Sequence, residues 1–311
     1  MKKIKGMTFA PFCERGTFRK EETKESLRIM KERTGSNTVI FAPNGFQKNA
    51  HSTEITYVGP HNVEDDELKE MITYAKSLGL QVFLKPTANC EDGTWRAHIS
   101  FFPEDVPCEP KWSEWFASYT KFQLHYAKIA EEMQCEMFIA GCEMVMTEGR
   151  EREWRILLSE IRKVYQGLLS YNTDKYQEHN VKWWDAVDVI SSSGYYPADD
   201  WENQLDRIEK VVDKFQKPFF FAEAGCMSTE GSKEIPNNWE VTGRTDLAGQ
   251  TEWYEKALQA MSRREWIDGV AFWSWNQKLY TEEEAGTDRF YEVYKKPAEE
   301  VIRRYFKMIC C

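Results

Sequence analysis

Pro218-Phe219-Phe220-Phe221-Ala222-Glu223-Ala224-Gly225 is the stretch whose reading decides the fold. Three aromatic residues in succession, opened by a proline and closed by a glycine, read as a short buried strand that delivers one carboxylate at its C-terminal end. Met137-Phe138-Ile139-Ala140-Gly141-Cys142-Glu143 has the same build, an apolar run ending in a glutamate. Outward from these two, strands are predicted at residues 4–9, 38–41, 81–85, 137–142, 168–172, 187–191, 218–222 and 269–275. Amphipathic helices are predicted between and after them, at 21–33, 63–77, 112–133, 150–165, 201–215, 245–261 and 297–306, with a short one at 181–184. Long polar loops fill 44–61, 86–110 and 226–244.

Eight strand-then-helix units with unbroken apolar strands describe a single (β/α)8 TIM barrel over residues 1–311. A doubly wound open sheet is the rival. It is disfavoured because no Gly-x-Gly-x-x-Gly turn follows the first strand, and because polar and aromatic residues follow nearly every strand rather than gathering at one crevice. No linker or low-complexity segment divides the chain.

Composition narrows the class. Hydrophobic residues make up 41% and charged residues 30%, with no apolar run long enough for a membrane span. A net charge of −10 argues against a nucleic-acid partner. The eight cysteines are scattered, without a Cys-x-x-Cys pair, and the five histidines lack ligand spacing; reduced thiols, no structural metal and no cofactor are expected. Cys310 and Cys311 read as a frayed tail. The basic start, Met1-Lys2-Lys3-Ile4-Lys5-Gly6, has no apolar core or cleavage site behind it, so a cytoplasmic location is expected. Aromatic residues reach 14%, including 12 tryptophans, which suits either a core or a cleft that stacks sugar rings. Oligomeric state is not legible.

In such a barrel the active site lies at the C-terminal ends of the strands. Glu143, Tyr195 and Glu223 fall there, with Trp273 and Trp275 on the last strand. Two carboxylates facing one another over aromatic walls are the equipment of a glycosidase: one protonates the leaving oxygen and the other attacks the anomeric carbon. The bland alternative is that the glutamates only pair with basic residues at the barrel rim.

More specific segments resemble glycoside hydrolase family 113, a family of clan A whose characterised members are retaining endo-β-1,4-mannanases. They are His51-Ser52-Thr53-Glu54-Ile55, Leu84-Lys85-Pro86, Asp92-Gly93-Thr94-Trp95-Arg96, the Trp112-to-Tyr126 helix, Gly141-Cys142-Glu143, Trp184-Asp185, Tyr195-Tyr196-Pro197, Ala222-Glu223-Ala224-Gly225 and Phe272-Trp273-Ser274-Trp275. The resemblance covers nearly the whole chain. It implies Glu143 as general acid/base, Glu223 as nucleophile and Tyr195 as the hydrogen-bond donor that orients Glu223. It also implies that Trp275, with Trp273, floors the subsite of the attacked sugar, and that Asn44, Lys85, Asn89, Trp95 and Arg96 are placed to meet sugar hydroxyls. Two positions depart from the clan's pattern: Cys142 stands where many members carry asparagine, and Ser193 where a strand-end aspartate is expected. The expected partner is an oligosaccharide or polysaccharide. Rival readings are another β-glycosidase or transglycosylase on the same barrel, a catalytically silent sugar-binding barrel, and a Schiff-base aldolase built on Lys85.

Overall fold

The computed structural model describes residues 2–240 and 242–308, so the Cys310–Cys311 pair lies outside the described residues. Among the described residues, ten strands and eight α-helices follow one another. In chain order they are β1 (Ile4–Phe9), α1 (Glu21–Thr34), β2 (Thr38–Phe41), β3 (Asn44–Gln47), α2 (Asp65–Ser77), β4 (Gln81–Leu84), β5 (Thr87–Cys90), α3 (Trp112–Glu132) and β6 (Met137–Cys142). Then come α4 (Glu151–Val164), β7 (Leu168–Thr173), β8 (Val189–Gly194), α5 (Trp201–Phe215), β9 (Phe219–Ala224), α6 (Leu247–Ser262), β10 (Ile267–Trp275), α7 (Glu282–Thr287) and α8 (Pro297–Met308). Eight strands close a parallel barrel in the order β1-β10-β9-β8-β7-β6-β4-β2. The fold is the predicted (β/α)8 barrel.

The period-2 alternation of strand side chains divides the core into two compartments. Ile4, Ile40, Phe83, Met137, Ile139, Val189, Phe220, Ala222 and Ala271 form one buried cluster inside the barrel. Their neighbours on the opposite faces, such as Phe138, Ile190, Phe219, Phe221 and Phe272, pack with the apolar stripes of the helices. Burying an aromatic or aliphatic side chain of this kind stabilises by about 1.5–3 kcal/mol, so the two layers together set the barrel's shape.

Three differences from the sequence-based expectation have physical causes. The predicted short helix at 181–184 is absent. In its place stands an irregular segment with one 3-10 turn, Trp184–Ala186, which buries Trp183 and Trp184 against Trp154 and Tyr171. Their indole Nε1 groups donate to the backbone carbonyls of Glu148 (3.0 Å) and Glu178 (2.8 Å). Secondly, the loops after β2 and β4 each hold a four-residue strand, β3 and β5, paired in parallel as a separate ribbon. Asn-Gly-Phe-Gln carries no apolar alternation, and Thr-Ala-Asn-Cys alternates over too few residues to announce a strand. Thirdly, β8 and β9 run further toward their C-terminal ends than predicted, to Gly194 and Ala224.

Register slips by one residue near the C-terminal ends of three strands. Ile139 pairs with Ser170 and Cys142 with Asn172, which leaves one extra residue on β6. Phe221 pairs with Ser192 and Glu223 with Ser193, an extra residue on β9. Phe272 pairs with Met7 and Trp275 with Phe9, an extra residue on β10. A bulge re-aims the side chains that follow it. These three decide which residues face the open end of the barrel.

Candidate active site

Inward-facing residues of β9 are Phe220 and Ala222, so strict alternation would send Glu223 outward among the helices. The extra residue on β9 turns it into the barrel mouth. On β6 the same slip brings Cys142 inward, and Gly141 makes it possible. Its φ of 144° lies where glycine is favoured, and a Cβ there would stand 2.7 Å from the Tyr119 hydroxyl and 3.1 Å from both Trp154 and Tyr171. Glu143 follows with a left-handed backbone (φ 54°), its N–H held by the Asn172 carbonyl at 2.8 Å.

Both carboxylates are more than nine-tenths buried, and one oxygen of each lies with the Cys142 sulfur in a group whose members are all within 4.8 Å of one another. Their surroundings differ. Glu223 accepts from the Tyr195 hydroxyl (3.0 Å) on one oxygen; on the other it accepts from the Cys142 thiol (3.2 Å) and the Lys85 ammonium. Lys85 is fully buried beneath the site and also reaches the Ala222 carbonyl at 3.4 Å. Burial alone would raise the Glu223 pKa; the charge and hydrogen bond of Lys85, with Arg96 and the Cys142 thiol, outweigh it and hold the group below its ordinary value. Glu143 accepts instead from Ser193 Oγ (2.8 Å), Arg96 Nη1 (3.1 Å) and Trp95 Nε1 (3.2 Å).

Burial, then the charge of Glu223, pushes both the Cys142 thiol and the Tyr195 phenol well above their ordinary ranges, which keeps each a proton donor to that carboxylate. Cys142, Glu143 and Glu223 are compact enough to suggest a metal site. Their chemistry fits one poorly: the metal-binding form of cysteine is the thiolate, and the carboxylate oxygens already accept from five side chains besides the thiol.

A cavity of about 610 Å³ opens above the pair. Asn89, Trp95, Arg96, Tyr195 and Trp273 of the predicted set line it. Trp273 forms a wall with Phe12 and Trp239, whose ring centroids lie 5.7 and 6.3 Å away.

A family model, Glycoside Hydrolase Family 113, matches residues 7–296. The chain belongs to this family. As a family 113 glycoside hydrolase it has solved relatives of the same size. A structure described as a complex of a GH113 beta-1,4-mannanase is 55% identical, with a TM-score of 0.97 and 99% of each chain covered. The GH113 beta-mannanase AaManA from Alicyclobacillus acidocaldarius, in complex with ManMIm, is 40% identical, with a TM-score of 0.95 over 100% of this chain and 99% of that one. The beta-glucuronidase of Ruminococcus gnavus, 12% identical with a TM-score of 0.66, shares the fold across 98% of this chain and 50% of its own. No curated protein sequence matches.

Three predicted residues of this family 113 chain take other places. Trp275 is buried and donates its indole N–H to Ser26 Oγ at 3.1 Å. Alternation puts residues 271, 273 and 275 on one face, but the slip on β10 carries Trp275 to the helix side beside Tyr294. Asn44 lies one step behind the cavity in a chain of hydrogen bonds. Arg96 Nη2 donates to Asn89 Oδ1 (2.8 Å), Asn89 Nδ2 to Asn44 Oδ1 (2.9 Å), and Asn44 Nδ2 to the Pro11 carbonyl (3.0 Å). Lys85 meets Glu223 rather than open space. Sequence reasoning passed over Phe12, Asp174, Lys175 and Trp239, which also line the cavity. Asp174 directly follows β7, so the strand-end rule that found Glu143 could have found it.

Proposed function

We propose that this glycoside hydrolase is a retaining β-1,4-mannanase, with Glu223 as nucleophile and Glu143 as general acid/base. The observation that carries the reading is the closeness of the two carboxylates, within 4.8 Å at one pair of oxygens. Retaining enzymes hold their carboxyl groups about 5–5.5 Å apart, whereas inverting ones need about 6.5–9.5 Å to admit water. The unequal surroundings support the division of labour. Glu223, beside a buried ammonium and held ionised, is equipped to attack. Glu143 lines the same cavity and accepts from Ser193, Arg96 and Trp95 instead.

In the first step Glu223 forms a bond to the anomeric carbon as the glycosidic C–O bond breaks, and Glu143 gives its proton to the departing oxygen. In the second, Glu143 takes a proton from water, the water oxygen attacks the same carbon, and the ester bond to Glu223 breaks. The 55% and 40% identical mannanases support mannan as the substrate class. Among the described residues six cysteines are free, five of them buried, which supports a reducing, cytoplasmic setting.

Glu223→Ala is expected to abolish hydrolysis of an activated aryl β-mannoside, with added azide restoring turnover as the glycosyl azide. Unchanged hydrolysis would remove Glu223 from the nucleophile's role. Products from mannohexaose and cellohexaose distinguish a mannanase from a glucan-cleaving barrel.

A further inference from the structure

Asn172, near the C-terminal end of β7, and Ser193, near that of β8, are fully buried, and the reaction above gives neither a part. The backbone carbonyl of Asn172 accepts from the N–H of Glu143 at 2.8 Å. Its side-chain amide fits only one way round. Nδ2 meets the Thr173 carbonyl at 2.9 Å, a group that only accepts, and Oδ1 faces Lys85 Nζ at 3.5 Å, a group that only donates. The second hydrogen of Nδ2 therefore goes to Ser193 Oγ, 3.0 Å away. With that oxygen accepting, the hydroxyl hydrogen goes to Glu143 Oε1 at 2.8 Å. The direction of the chain is thus set from Asn172 outward, and it ends as a donor on one carboxylate oxygen. Glu143 Oε2 accepts from Arg96 and Trp95, which line the cavity, so Oε2 is the cavity-side oxygen. Position 193 is where a strand-end aspartate is expected; an aspartate would set a second negative charge against Glu143, whereas serine supplies a donor.

We propose that Asn172 and Ser193 are positioning residues that reserve Oε1 of Glu143 as an acceptor and so keep the acid proton on Oε2, a role that rests on Glu143 being the acid of the retaining reaction. A proton on Oε1 would crowd the hydroxyl hydrogen of Ser193, which has no other acceptor among the described residues. On Oε2 the same proton faces the cavity, where the departing oxygen lies. When Oε2 gives it up to that oxygen, the carboxylate left behind keeps the Ser193 hydrogen bond on Oε1. No proton passes through the serine. Asn172 acts at one remove, by fixing which way the hydroxyl points.

The test compares kcat/KM on two aryl β-mannosides in Ser193→Ala and Asn172→Ala. The leaving group of 2,4-dinitrophenyl β-mannoside departs with little need of a proton; that of phenyl β-mannoside needs one. In each variant the fall on the phenyl substrate is expected to exceed the fall on the dinitrophenyl substrate by on the order of tenfold, as for loss of one hydrogen bond to a charged group. Both rates come from one preparation, so their ratio does not depend on how much of a variant is folded. A role in packing alone lowers both rates together, and an unchanged ratio in either variant overturns the proposal. Because Asn172 acts through the serine hydroxyl, the double variant should show the ratio of Ser193→Ala alone; a further tenfold change overturns that dependence. Failure of the retaining reading has a separate signature: no azide-rescued turnover in Glu223→Ala.

Discussion

Lys85 sits beneath Glu223 without solvent access, and its removal leaves a buried carboxylate short of its principal cation. Breaking such a pair costs about 3–5 kcal/mol, so Lys85→Met should lower the denaturant midpoint well below that of the unaltered protein. The pH dependence has a definite sign. Because the folded pKa of Glu223 is depressed, its contribution to stability is present above the ordinary carboxylate value and is lost as pH falls through the depressed one. Without Lys85 that loss, and the acid limb of kcat/KM, move to higher pH; a pH–rate profile with an unmoved limb contradicts the role given to this lysine. At this scale the sequence was legible where a side chain follows directly from a strand end. Glu143, Tyr195 and Glu223 line one cavity, with Tyr195 donating to Glu223. It was illegible where identity had to be converted to direction: Lys85 points down to a carboxylate, Asn44 sideways to Asn89, and Ser193 donates to Glu143.

At the scale of the elements, the three one-residue slips matter more than strand composition. Hydrophobic pattern located every barrel strand, but pattern carries no mark for an extra residue, so nothing in it spoke against the place in the sugar subsite that the family resemblance implied for Trp275. Gly141 is the exception, since glycine inside an apolar strand is itself a sign of a bulge. Gly141→Ala adds a methyl into van der Waals overlap at a backbone angle that alanine avoids. It should cost about 1–3 kcal/mol by thermal or chemical denaturation and depress kcat by misplacing Glu143. A second element-scale device is Glu148, which ties the segment after β6 to β7 by accepting from Tyr171 (2.7 Å) and Thr173 (2.6 Å). Burial raises its carboxyl from 4.5 to about 8 despite those two donors. Between these values the folded state holds a proton that the unfolded chain has lost, so stability falls as pH rises from about 4.5 to about 8 and levels off above. Glu148→Gln should abolish that slope, a difference of up to about 5 kcal/mol between acid and alkaline limits, read from urea titrations at a series of pH values. Parallel curves for the two proteins count against it.

Across the whole molecule, the barrel was legible because eight apolar strands in alternation with helices leave few other arrangements, and their closure by β1 against β10 agrees. The accessory ribbon of β3 and β5 was not, its two strands being only four residues each and joined by backbone pairing. Net charge of −10 gives no steering toward an uncharged polysaccharide. Raising salt from about 0.02 to 0.5 M should therefore change kcat/KM on mannan by less than about twofold; a steep fall signals an ionic substrate. The closure has a consequence in time. β1 cannot find its second neighbour until β10, more than 250 residues later, has been made. At about 5–20 residues per second a growing chain spends many seconds with two open edges, β1 and β9. A ribosome-bound chain that stops after α6 would present both as templates for neighbouring nascent chains. Residues 267–275, rather than either glutamate, thus decide when synthesis becomes safe from aggregation.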